Sequence, residues 1–97
     1  MPAYIIARIS VTDAEKYEGY KALAPAAIAA HGGRYLVRGG QVKSLEGEAE
    51  NRRIAVLEFP SMEAAEAFYR SAEYGAAMDK RRGAAEGQFI LVEGYSG

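Results

Sequence analysis

A helix ends and a strand begins within ten residues, HGGRYLVRGG, which run from His31 to Gly40. This stretch holds the only histidine of the chain, two glycine pairs and two arginines. Glycine directly after a helical pattern is typical of a helix C-terminus, and RYLVR has the composition of a strand. The junction therefore brings an imidazole and two guanidinium groups close to one turn of the backbone.

The sequence on either side of this junction predicts alternating strands and helices. The pattern Thr12 to Glu15 resembles a capping box, and Pro25 predicts a kink or a restart in the first helix. A third helix is expected after Ser71. The predicted strands cover residues 3–11, 34–38, 52–59 and 88–93, with a short extended piece at 41–45; the predicted helices cover 13–30, a segment capped by Ser61, and 72–85. The order β-α-β-β-α-β predicts an α+β, ferredoxin-like sandwich with an antiparallel sheet.

Both faces of the predicted sheet are apolar. In the third strand, Ile54 and Val56 alternate with Leu57 and Phe59, and the fourth strand repeats this pattern. A sheet with one face in water shows a clear apolar and polar alternation, which is missing here. Helices cover one face only, so we expect a second copy of the chain to cover the other face in a homodimer.

The length, charge and composition of the chain exclude several classes of protein and of binding site. A length of 97 residues indicates a single domain over residues 1–97. A net charge of −1 argues against a nucleic-acid-binding surface, and the lack of cysteine excludes disulfides and thiolate metal sites. Since neither a signal-peptide pattern nor a long apolar stretch is evident, we expect a cytoplasmic protein without membrane association.

The run from His31 to Gly40 resembles a hallmark of domain-of-unknown-function family 1330. Further similarities are the segments Leu57-Glu58-Phe59-Pro60-Ser61, Ser71-Ala72-Glu73-Tyr74 and Leu91-Val92-Glu93-Gly94. The resemblance covers nearly the whole chain and implies the dimeric α+β barrel superfamily, in which two ferredoxin-like sheets pair. It implies no common activity, although the wider superfamily includes cofactor-free monooxygenases, isomerase-like enzymes, haem-binding enzymes and ligand-sensing modules.

His31 is the candidate acid or base, because imidazole changes its protonation near neutral pH. The alternative is a packed histidine at the end of the first helix. Arg34 and Arg38 are four residues apart in a strand, so we expect them to share one face and to form an anion-binding pair. The alternative for Arg38 is an ion pair with Glu58.

Tyr74 is a further candidate, as a ligand contact from the break between the second and third helices, with a packed core-edge tyrosine as the alternative. One histidine and no cysteine predict no metal site, and no nucleotide-binding motif is present. We therefore expect no cofactor.

The leading hypothesis is a cofactor-free enzyme that binds a small organic acid between sheet and helices. Arg38, helped by Arg34 and oriented by Glu58, holds the carboxylate, and His31 transfers a proton. On this hypothesis His31→Ala abolishes turnover. The alternatives are a non-catalytic small-molecule binding or sensing dimer, and a dimer without any ligand.

Overall fold

A computed structural model describes residues 1–96 and has the predicted ferredoxin-like α+β architecture. All neighbouring strands run antiparallel, in the order β2-β3-β1-β4. Three helices cover one face of this sheet. The elements in chain order are β1 (Ala3–Val11), α1 (Ala14–Ala30), β2 (Arg34–Arg38), β3 (Arg53–Phe59), α2 (Met62–Tyr69), α3 (Ala72–Arg81) and β4 (Ala85–Glu93).

Each helix begins at a side-chain cap. Asp13, and not Thr12 as the capping-box pattern suggested, accepts a hydrogen bond from the Lys16 backbone N–H at 3.0 Å and starts α1. Ser61 and Ser71 accept equivalent bonds at the starts of α2 and α3. Pro25 lies inside α1, which the structure assigns as one continuous helix.

The end of α3 differs from the sequence prediction. The helix ends at Arg81 and β4 begins at Ala85, three residues earlier than expected. Gly83 has φ = 76°, a left-handed conformation that ends the helix, and the Ala84 carbonyl then accepts the N–H groups of Thr12 and Asp13. The predicted extended piece at 41–45 is not a strand in the structure.

The core lies between the sheet and the helices. Alternate residues of β1 and β3 point into it, and Phe59, Phe68 and Tyr74 are its largest fully buried side chains. The opposite surface, which we call the open face, carries the other half of each strand and no helix. Its apolar members are Tyr4 and Ile6 of β1, Val37 of β2, Ile54 and Val56 of β3, and Ile90 and Val92 of β4.

A bulge in β2 changes which way its side chains point. Arg34 is paired with Glu58 and Tyr35 with Leu57, but the next pair in register is Val37 with Val56, so Leu36 is the extra residue. One extra residue reverses the alternation of a strand. Val37 therefore lies on the open face, and Arg38 lies on the helix-covered face.

Candidate ligand-binding site

The structure separates the residues that the sequence analysis had grouped. His31 Nε2 lies 3.3 Å from Glu73 Oε1, at the end of α1 and the start of α3. Arg38 Nη2 donates to the Lys21 carbonyl at 3.2 Å. His31 is ten residues beyond Lys21 in α1, about 15 Å at 1.5 Å per residue. The imidazole and the Arg38 guanidinium therefore lie beside different parts of α1 and do not belong to one site.

The prediction that Arg34 and Arg38 share a face is wrong, and the bulge at Leu36 is the reason. Arg34 Nε donates to Glu58 Oε1 at 2.7 Å on the open face, next to the N-terminal residues. Glu58 is therefore the partner of Arg34 and not of Arg38. No two-arginine anion site forms from this pair.

A different arginine accompanies Arg38 on the helix-covered face. The Arg38 guanidinium carbon lies 4.8 Å from the ring centre of Tyr35, and that of Arg53 lies 5.9 Å from the ring centre of Tyr17. Both arginines line one cleft of about 480 Å³, which we call the cationic mouth. Its lining residues are Glu18, Lys21, Ala22, Arg38 and Arg53.

The two guanidinium groups of the cationic mouth carry charge that no carboxylate balances directly. Within residues 1–96, the ion pairs up to 4.0 Å do not include Arg38 or Arg53. Glu18, the acid of the mouth, pairs with Lys21 at 3.2 Å. Guanidinium groups over aromatic rings bind carboxylates in a two-pronged geometry, so the mouth has the chemistry of an anion site.

Behind the mouth, small side chains leave space against the sheet. The register places Arg38, Ala55, Ala7 and Phe89 in one row across all four strands. The two alanines form the floor of a small interior cavity of about 20 Å³, with Arg38 and Phe89 at opposite ends of the row. A space of this size holds about one water molecule.

Tyrosines form the helix side of this cavity. Tyr17 and Tyr20 stack with ring centres 5.3 Å apart, and the hydroxyls of Tyr20 and Tyr74 share a buried hydrogen bond of 2.8 Å. Burial raises the pKa of Tyr17, Tyr20, Tyr35 and Tyr74 above the usual value of 10.0, and for Tyr17 and Tyr35 the nearby guanidinium groups oppose that rise. These phenols therefore stay neutral at physiological pH, as hydrogen-bonding and packing groups.

Tyr74 is buried in the core, 1% exposed, with its ring centre 4.4 Å from that of Phe68. Its hydroxyl reaches Tyr20 and makes no contact with the cationic mouth. This packing agrees with the alternative interpretation of the sequence, in which Tyr74 is a packed tyrosine and not a ligand contact.

Sequence reasoning missed Arg53, although a signal exists. Arg53 occupies the same alternation in β3 as the buried residues Ala55, Leu57 and Phe59, so it is a charge on an otherwise apolar face. Gly39 accommodates it, because a Cβ at Gly39 would collide with the guanidinium group. A charged residue at a strand position that alternates with core-facing residues is therefore a sequence signal for a candidate functional side chain.

Neither a metal centre nor a membrane segment is found in the part of the chain that the structure describes. Residues 1–96 contain no group of three or more histidine, aspartate or glutamate side chains placed to hold a metal ion. No described helix is long and apolar enough to cross a membrane.

The chain also matches a known family. The family described as "Domain of unknown function (DUF1330)" matches residues 2–95. The chain belongs to this family. A comparison with curated proteins gives no match. Membership in DUF1330 confirms the resemblance that the sequence suggested, and it assigns no activity.

Solved structures share the fold of this DUF1330 chain. A protein of unknown function from Rhodopseudomonas palustris is 21% identical with a TM-score of 0.77, and the alignment covers 99% of this chain and 84% of that one. A variant of SnoaB, a cofactor-independent oxygenase from Streptomyces nogalater, is 15% identical with a TM-score of 0.72, covering 99% and 95%.

A third similar structure, from Jannaschia sp. CCS1, is described as a dimeric ferredoxin-like protein of unknown function. It is 12% identical with a TM-score of 0.71, and the alignment covers 97% of this chain and 100% of that one. At these identities the similarity establishes the ferredoxin-like fold and carries no residue role from one protein to the other.

Proposed function

We propose that this DUF1330 protein is a homodimer in which each protomer binds a small organic acid, with Arg38 and Arg53 as the anion anchors. The observation that supports this is the pair of guanidinium groups at the cationic mouth, both over tyrosine rings and neither in an ion pair within residues 1–96. Arginine in this setting favours a carboxylate.

The rings that flank the mouth favour an acid with a flat body. Tyr35 and Tyr17 lie under the two guanidinium groups, and the apolar floor of the interior cavity continues behind them. Aromatic side chains pack well against aromatic ligands. An aromatic monocarboxylate therefore matches the site, because its carboxylate can bind the two guanidinium groups and its ring can pack against the tyrosine rings.

We propose a structural role for His31 in place of the acid–base role suggested by the sequence. A general base needs hydrogen-bond reach to its substrate, whereas His31 is about 15 Å along α1 from the Arg38 contact. Its interaction with Glu73 joins the end of α1 to the start of α3. This geometry favours the non-catalytic binding alternative over an enzyme that uses His31.

The dimer part of the proposal is supported by the open face. Ile90 is 40% exposed and Val92 44% exposed, and both are apolar side chains of the edge strand β4 on this face. Similar folds are described as dimeric. A second copy of the sheet buries these side chains against one another and removes them from water.

Isothermal titration calorimetry with benzoate tests the binding site. We expect Arg38→Gln and Arg53→Gln each to weaken binding at least tenfold, because each change removes one charged partner of the carboxylate. Arg34→Gln is the matched control, since Arg34 comes from the same strand but faces the open side with Glu58. Equal binding by all three variants and the unmodified protein would contradict the proposal.

A further inference from the structure

Phe89 lines two separate spaces. On one side lies the interior cavity of about 20 Å³. On the other side lies an outer groove along β4, in two parts of about 230 Å³ and 280 Å³, and both parts share Phe89 and Tyr69 as lining residues. We call this outer space the β4 groove. The ring of Phe89 is therefore a wall with free volume on both of its sides.

The ring of Phe89 lies beside Arg81, Tyr69 and Gly87. The Arg81 guanidinium carbon lies 4.3 Å from the ring centre of Phe89 and 5.3 Å from that of Tyr20. The Tyr69 ring centre lies 6.4 Å from that of Phe89. A Cβ built at Gly87 would lie 2.9 Å from a Phe89 ring carbon, so the ring uses space that Gly87 leaves open.

The other walls of the interior cavity are less able to move. Ala7, Ile9 and Leu57 are buried in the sheet, and the Tyr20 hydroxyl is fixed by its bond to Tyr74. Close-packed side chains of this kind have no second space to occupy. Phe89 is only partly buried, and a change of rotamer would turn its ring into the β4 groove.

We propose that Phe89 is a movable partition that determines how long an aromatic acid this site accepts. The row from Arg38 to Phe89 crosses three inter-strand spacings, roughly 14 Å at about 4.8 Å each. A single-ring acid anchored at Arg38 and Arg53 stays in the cationic mouth. An acid with two fused rings extends into the cavity and displaces Phe89 into the β4 groove, where Tyr69 and the displaced ring enclose its far end.

This inference rests on the proposed function, because it takes Arg38 and Arg53 as the anchors. It adds the ligand class, aromatic monocarboxylates of two fused rings, and a residue that selects for length. Only the longer acid has to displace Phe89. The ratio of the affinities for a two-ring acid and a one-ring acid therefore reports the free energy of that displacement.

Calorimetric titration with benzoate and 2-naphthoate tests the partition. We expect Phe89→Ala to raise the affinity for 2-naphthoate at least tenfold and to leave that for benzoate within twofold. Leu91→Ala is the matched control, because Leu91 lies two residues along the same face and lines the β4 groove but not the interior cavity. Phe89→Leu, a smaller change, keeps the test valid if the alanine variant does not fold.

An unchanged ratio of the two affinities in both Phe89 variants would overturn the partition while leaving the anion anchors intact. Binding of neither acid by the unmodified protein would instead contradict the proposed function. A ligand-free measurement then tests the partition: acrylamide quenching of the fluorescence of the seven tyrosines, which no tryptophan obscures. A larger quenching constant in Phe89→Ala, but not in Leu91→Ala, supports the partition, and no difference between the two variants overturns it.

Discussion

Four tyrosines with raised pKa values make the stability of this protein sensitive to alkaline pH. Burial is the main cause in each case. The unfolded chain releases these phenol protons near pH 10, whereas the folded chain retains them to higher pH. The unfolded state then binds fewer protons, so the free energy of unfolding falls as pH rises above about 10 and is unaffected by these groups below it.

Urea denaturation at a series of pH values checks this expectation. Tyr20→Phe should reduce the loss of stability above about pH 10, because it removes a phenol that only the unfolded chain ionises. Tyr95→Phe is the control, since Tyr95 is 94% exposed. An identical alkaline slope in both variants would contradict the role of burial.

Gly33 and Gly75 provide a second comparison of single residues. A Cβ at Gly33 would overlap the ring of Phe59, whereas nothing lies within 4 Å of a Cβ at Gly75 inside α3. We expect Gly33→Ala to lower the free energy of unfolding by roughly 1–3 kcal/mol through overpacking. Gly75→Ala should raise it by roughly 0.5–1 kcal/mol, because alanine favours the helix.

Thermal and chemical denaturation of the two glycine variants distinguish these effects. Equal effects of both substitutions, in either direction, would show that the space beside Phe59 does not limit this position.

At the scale of elements, sequence patterns predicted the order of strands and helices because each element has its own hydrophobic period. These patterns failed where contacts between distant parts of the chain contribute to the local structure. Helix α3 ends before Gly83, and the Ala84 carbonyl that follows accepts the N–H groups of Thr12 and Asp13, which are more than seventy positions away in the chain. Gly83 is a local signal for the helix end, but the sequence around Ala84 does not indicate the bonds from Thr12 and Asp13.

The candidate site was less predictable than the fold for the same reason. Period-two reasoning placed Arg34 and Arg38 together, but one bulged residue, Leu36, separates them. The sequence contains no glycine or proline at Leu36 to indicate a bulge. The partner of Arg38 at the mouth, Arg53, lies on another strand, so their proximity depends on the register of β2 against β3.

At the scale of the whole molecule, we expect the open face to decide assembly. Val56 occupies the middle of this face, paired with Ile6 of β1 and Val37 of β2. We expect Val56→Asp to give a monomer, because a buried unpaired carboxylate between two apolar sheets is strongly unfavourable. The folded protomer should persist, since the open face is not part of its core.

Size-exclusion chromatography with light scattering measures this outcome, and circular dichroism checks the fold. Ala26→Glu adds the same charge on the exposed side of α1 and should leave the dimer intact. A Val56→Asp protein that remains dimeric would show that the open face is not the dimer contact.

The bulge at Leu36 also makes β2 sensitive to its length. Before it, Arg34 lies on the open face and Tyr35 on the helix-covered face; after it, Val37 lies on the open face and Arg38 on the helix-covered face. The face on which each side chain of β2 lies therefore depends on the number of residues between Gly33 and Gly39 as well as on which residues they are. Deletion of Leu36 would remove the extra residue, so with Arg34 and Tyr35 in their present register we expect Val37 and Arg38 to exchange faces.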